Sequence, residues 1–173
     1  FTDNSGTILI DELAGEGNDT LDFSLVTVNL TFNINGLLLS AAGTGLNILH
    51  TTGNIENLVG SQAGDEFIFS NGSVLNGYIN GGGGIDRLNF SDYLARLNFY
   101  LNTISSTDGF GGTVSPISGG FTNIDAFSGT QAPDDSLTGY DADANWILDG
   151  NDRFVSGNTA YFEDIEVLNG ASG

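Results

Sequence analysis

The residues best placed to do chemistry are aspartates that close short glycine-rich turns. Asp19 follows Gly15 and Gly17, Asp65 follows Gly60, and Asp86 follows Gly81, Gly82 and Gly84. Asp134 and Asp135 come after Gly129, and Asp152 after Gly150. Carboxylates are hard oxygen donors, and glycine lets the backbone bend until carbonyl oxygens face one centre. The pattern therefore fits a hard cation, which takes six to eight oxygens at about 2.3–2.6 Å. A plainer use exists for the same residues: an aspartate in such a turn accepts nearby backbone N–H groups and needs no metal. The candidate ligand set is Gly15, Gly17, Asp19, Gly60, Asp65, Gly81, Gly82, Gly84, Asp86, Asp134, Asp135 and Asp152. Its expected centre is the pair Asp65 and Asp86, which lie 21 residues apart in equivalent turns.

Charge points the same way. The chain carries 22 acids against three bases (Arg87, Arg96 and Arg153), a formal net charge of −19. Nucleic acid and anionic membrane surfaces need a cationic patch, so neither is an expected partner. There is no cysteine, which removes disulfides, thiolate zinc sites and cysteine nucleophiles. No run of about 20 apolar residues is present, so no membrane-spanning helix is expected. The chain opens at Phe1 without a basic leader and ends on Gly170-Ala171-Ser172-Gly173, half of a turn met upstream. It is read as a fragment of a longer repeat array, exported to the cell surface or the medium.

The turns must be positioned by strands. Val28, Leu30, Phe32 and Ile34 alternate with polar residues, as do Leu97, Phe99 and Leu101. Period two puts one face of a strand inward. Glycine and asparagine recur too densely for helices; only Asp92 to Leu101 leaves room for a short helical turn.

Self-similarity sets the architecture. Gly15–Ser24 recurs at Gly81–Ser91, and Asn54-Ile55-Glu56 returns as Asn123-Ile124-Asp125 and Asp164-Ile165-Glu166. The modules run over about 15–80, 81–139 and 140–173 of one domain. Within a module, Leu58 and Ile79 are 21 residues apart, as are Phe67 and Leu88. That spacing predicts an all-β parallel β-solenoid (a β-helix or β-roll) with one coil per 21 residues. Residues 36–52 and 103–120 break the spacing and are expected to leave it as loops. A β-sandwich is the alternative, since short strands with frequent turns fit it too. Asn54, Asn57, Asn76 and Asn80 suit side-chain ladders along such a stack.

The segment Gly81–Asn89 resembles the RTX, or haemolysin-type calcium-binding, nonapeptide G-G-x-G-x-D-x-U-x at every specified position. Gly15–Phe23 departs from it at Glu16, and Gly60–Ile68 at Ser61 and Ala63. The surrounding modules resemble those of very large bacterial surface and exported proteins. The resemblance implies calcium held between turns of neighbouring coils.

Catalysis is not expected. Lyase chemistry on acidic sugars needs cationic residues, and there is no Lys. With one His and no Cys, histidine-based triads and zinc sites are disfavoured. His50 is expected in a loop, and Trp146 at a strand in the core. The expected role is a structural or adhesive segment of an exported protein, stabilised by calcium. The alternatives are a self-assembling surface-layer or filament subunit, with copies of itself as partners, and a carbohydrate-binding module with glycans as partners.

Overall fold

The computed structural model describes residues 1–11, 17–36, 38–50, 54–140 and 143–170. Gly15 therefore lies outside the described residues. The fold is all-β. In chain order the strands are β1 (Gly6–Ile10), β2 (Thr20–Asp22), β3 (Thr31–Asn35), β4 (Leu38–Gly43), β5 (Leu46–His50) and β6 (Asn57–Val59). Then come β7 (Glu66–Phe69), β8 (Ile79–Asn80), β9 (Arg87–Asn89), β10 (Asn98–Ile104), β11 (Phe110–Val114) and β12 (Ile117–Ile124). The last six are β13 (Ala126–Ser128), β14 (Ser136–Thr138), β15 (Asn145–Ile147), β16 (Arg153–Ser156), β17 (Asn158–Glu163) and β18 (Val167–Asn169).

They form two mixed sheets. The ten-stranded sheet has the order β1-β5-β4-β3-β7-β9-β13-β17-β16-β15, and the eight-stranded sheet β18-β14-β10-β11-β12-β8-β6-β2. From β6 onward the chain changes sheet after each single strand or three-stranded meander. The strands that return to a sheet pair parallel with their predecessors, giving the run β3, β7, β9, β13, β17.

The expected 21-residue spacing holds for one coil, where Leu58 pairs with Ile79 and Phe67 with Leu88. Every other parallel pairing of strands spans more, from 31 residues (Leu137 to Leu168) to 42 (Ile79 to Phe121), so the coil length is not constant. The parallel pairing extends into two apolar columns. One is Leu21, Leu58, Ile79 and Phe121 in the smaller sheet. The other is Phe32, Phe67, Leu88, Phe127 and Phe162 in the larger. Phe32 and Phe67 stack with ring centroids 4.5 Å apart, close to the spacing of neighbouring strands. Phe99 and Phe121 of the smaller sheet reach Phe127 of the larger, at 5.7 and 5.4 Å. The two sheets therefore share one core, in which each buried Phe contributes roughly 1.5–3 kcal/mol.

Among the described residues, 36–52 and 103–120 do not leave the sheets as long loops; only the short loop 105–109 and tight turns interrupt their strands. The two stretches supply β4, β5, β11 and the first half of β12, which pair antiparallel within the plane of a sheet. The irregular spacing of these stretches is that of a meander, which adds two strands before the chain crosses over. β15, β16 and β17 form a third such meander. The short helical turn expected over Asp92–Leu101 is absent; β10 begins at Asn98. His50 is not in a loop either. It ends β5, fully buried, with Nδ1 3.2 Å from the Ile10 carbonyl and Nε2 accepting the Asn54 N–H. Trp146 packs on Phe154 and Phe162, as expected of a core residue. Asparagine pairs bridge neighbouring levels: Asn57 of β6 donates through Nδ2 to Asn18 Oδ1, just ahead of β2, and Asn123 Nδ2 donates to Asn80 Oδ1 between β12 and β8.

Candidate metal centre

Three segments meet at the N-terminal ends of β9 and β13, two interior strands of the larger sheet. The turn 81–86 carries the chain from β8 to β9 and ends on Asp86. The junction Asn123-Ile124-Asp125 carries it from β12 to β13 almost without a turn. The loop 105–109 joins β10 to β11 and contains Asp108. Parallel pairing of β9 with β13 puts Asp86 beside Asp125, since both immediately precede their strands. Asp86 N–H donates to Asp125 Oδ2 (3.2 Å), and the Asp86 carbonyl accepts the N–H groups of Asp125 and Ala126 (both 2.9 Å). Asp108 is drawn in by the Gly84 N–H, which donates to its Oδ2 at 3.0 Å. The loop is braced on its other side, where Asn123 N–H donates to Ser105 Oγ (2.9 Å).

The result is a crowd of acids. One carboxylate oxygen each from Asp86, Asp108 and Asp125 lies within 4.8 Å of the others. Asp86 is fully buried and Asp125 nearly so. Asp86 Oδ1 accepts the Asp65 N–H at 2.7 Å. Asp86 Oδ2, Asp108 Oδ1 and the buried Asn123 Oδ1 have no hydrogen-bond partner among the described residues. Gly81 borders the cluster: a methyl built on it would overlap the Asn123 carbonyl oxygen and lie 2.6 Å from Asp86 Oδ2. Burial, reinforced by the charges of Asp65, Asp125 and Asp108, pushes the Asp86 carboxyl up to about 8. Burial and Asp108 push Asp125 up to about 6. A group of this kind either keeps protons at neutral pH or gives its negative charge to a cation.

The other sequence candidates are placed differently. Asp65 and Asp86 do come together, but through a hydrogen bond. Burial raises the Asp65 carboxyl, yet both its oxygens are used, by the N–H groups of Leu30 and Ser61 and the Ser61 hydroxyl. Gly60, Gly81, Gly82 and Gly84 are needed because the turns stack backbone on backbone. A methyl on Gly60 would strike the Gly81 carbonyl, one on Gly82 the Ser61 carbonyl, and one on Gly84 the backbone of Ala63 and Gly64. Asp135 is fully buried and accepts the N–H groups of Leu97 and Thr130, both at 2.6 Å. Asp134 is exposed beside Arg96, 3.4 Å away. Asp152 caps its own turn by accepting the N–H groups of Asp149 and Gly150. Asp19, two residues after Gly17, donates its N–H to Glu56 Oε2 at 2.8 Å.

Asp108, Asn123 and Asp125 are absent from the sequence-derived ligand set. Asp125 had a signal: an acid ends the Asn/Asp-Ile-acid element in all three copies, as Glu56, Asp125 and Glu166. Asp108 had none, because it lies in a stretch that does not repeat. No protein-family model matches the chain, and neither the curated proteins nor the solved structures contain a match.

Proposed function

We propose that this chain is a structural or adhesive segment of an exported bacterial protein, wound as a two-sheeted β-solenoid and stabilised by calcium. The observation that carries the reading is the five-membered column Phe32, Phe67, Leu88, Phe127 and Phe162. Residues from strands scattered along the chain repeat at one position of a growing stack. That is how an array buries a continuous core with each unit touching only its neighbours. The meanders thicken the stack by two strands without ending it. The acidic composition suits a calcium-rich exterior, where cations relieve repulsion among carboxylates. No catalytic constellation is proposed.

A second reading is self-assembly. Both sheets are open, with β1, β15, β2 and β18 as outermost strands, and open edges can pair with other chains. The packing of Trp146 on Phe154 and Phe162 gives no support to a glycan-stacking role.

Sedimentation and electron microscopy of the chain in millimolar calcium test the role. A stable monomer supports the structural segment, and concentration-dependent filaments support self-assembly. Thermal melting with calcium and with chelator tests the stabilisation. A bound ion contributes about 2.7 kcal/mol at a hundredfold excess over its dissociation constant, so equal melting temperatures would remove calcium from the reading.

A further inference from the structure

We propose that Asp86, Asp108 and Asp125 form the binding site for one hard divalent cation, calcium by class, with Asn123 lending further oxygen. This deepens the calcium part of the preceding reading by naming the place. It differs from the turn-to-turn pairing of Asp65 with Asp86 that the nonapeptide resemblance implies.

Three independent features converge on it. The first is distance. Oxygens bound to one calcium at about 2.4 Å lie no more than about 4.8 Å apart, and the three carboxylates each place an oxygen within 4.8 Å of the others. The second is hydrogen-bond accounting. A buried oxygen left without a donor is costly, and native proteins rarely tolerate one. Here Asp86 Oδ2 and Asp108 Oδ1, on two of the three clustered carboxylates, lack a donor among the described residues, and a cation satisfies such acceptors together. Asp65 and Asp135 are the contrast, because each has both carboxylate oxygens supplied by N–H or hydroxyl donors. The third is the glycine at the border. Having no side chain, Gly81 lets the Asn123 carbonyl oxygen and Asp86 Oδ2 both press close to it, so a main-chain oxygen stands beside the Asp86 carboxylate. All of these donors are oxygens, which selects a hard ion over zinc or copper.

The ion would tie the loop 105–109 to the turn 81–86, two segments that no strand pairing joins directly. Loop 105–109 is held to the turn 81–86 by the Gly84 N–H to Asp108 bond. Cation binding adds a second tether there and closes the meander of β10, β11 and β12 onto the turn it covers.

The test is calorimetric titration of calcium chloride into the chelator-stripped chain, for the wild type, Asp108→Asn and, as control, Asp134→Asn. We expect uptake of one ion at this site, at least about tenfold weaker in Asp108→Asn because affinity follows ligand charge, and unchanged in Asp134→Asn. No uptake by the wild type overturns the proposal and leaves the triad as a proton-sharing group. Unchanged affinity in Asp108→Asn also overturns it, and the calcium-dependent melting then survives with the ion placed elsewhere. A measurement that needs no variant accompanies these: amide resonances followed by NMR during the titration. Movement at Gly84, Asp86, Asp108 and Asp125 is expected. Movement confined to the corners at Asp19 or Asp135 would refute the assignment.

Discussion

Three corners of this molecule are built on one backbone plan and differ in what they can do. In each, an aspartate at the head of a strand donates its N–H to an acid on the next strand of the stack, and its carbonyl accepts two N–H groups back. The pairs are Asp19 with Glu56, Asp86 with Asp125, and Asp135 with Glu166. In the first and third, the second acid is a glutamate exposed at least in part to water. In the middle pair it is a buried aspartate, and the longer loop after β10 delivers a third carboxylate, Asp108. The hydrogen bonds are the same, but the desolvation is not. In the outer pairs water reaches the glutamate partner, even though Asp135 itself is buried. At the centre of the stack, strands on both sides exclude water, and the like charges must be neutralised. Position in the stack, more than the motif, turns a turn-capping aspartate into a candidate ligand.

The contrast can be broken most severely through the backbone. Gly81→Ala puts a methyl against the Asn123 carbonyl and Asp86 Oδ2. It should cost about 3 kcal/mol or more in urea unfolding, whereas Gly170→Ala, in open space, should cost almost nothing. Next in size is the pH dependence of the cation-free protein. The folded carboxyls of Asp86 and Asp125 are raised to about 8 and about 6, above the ordinary aspartate value of about 3.9. The folded state therefore binds more protons than the unfolded chain between those values, and stability falls as pH rises. In chelator, stability should fall steadily from pH 5 to pH 8. Calcium should flatten the slope, because it takes the protons' place.

Exchanging the acids sharpens the comparison. Asp125→Glu gives the middle corner the side chain of the outer ones and should take about 1 kcal/mol off the calcium-induced stabilisation. Glu56→Asp should gain no calcium response, since no third carboxylate is supplied there. Asp108→Asn should stabilise the protein in chelator by roughly 1 kcal/mol, through relief of like charge, and destabilise it relative to wild type in calcium. Melting curves in both buffers would show the reversal. The smallest effect is expected away from the corners. The Arg87–Glu163 pair spans β9 and β17 on a partly exposed face. Glu163→Gln should cost under about 1 kcal/mol and respond to salt rather than calcium.

What could be read without coordinates was whatever repeats locally. The alternation of Phe32 and Ile34 with Asn33 and Asn35, and the 21-residue recurrence of Leu58 with Ile79 and Phe67 with Leu88, specified strands and their register. Period and burial are properties of neighbouring residues. The meanders escaped because β4, β5, β11 and β12 have strand-forming sequences without the repeat length. A reading built on constant coil length assigns any excess to loops. Asp65 and Asp86 were rightly set side by side, but their separate fates were not visible. Which oxygens are consumed depends on whether Ser61 and Leu30 present their N–H groups.

By itself, then, the amino-acid order determined an all-β chain with glycine-aspartate corners, apolar columns and an excess of negative charge, because those follow from composition and short-range period. Only the folded stack decided that Asp86, Asp108 and Asp125 would share one buried space. Their convergence depends on a 39-residue detour through β9 to β12. It also depends on the exclusion of water by strands on either side, and no local pattern encodes a distance across such a detour.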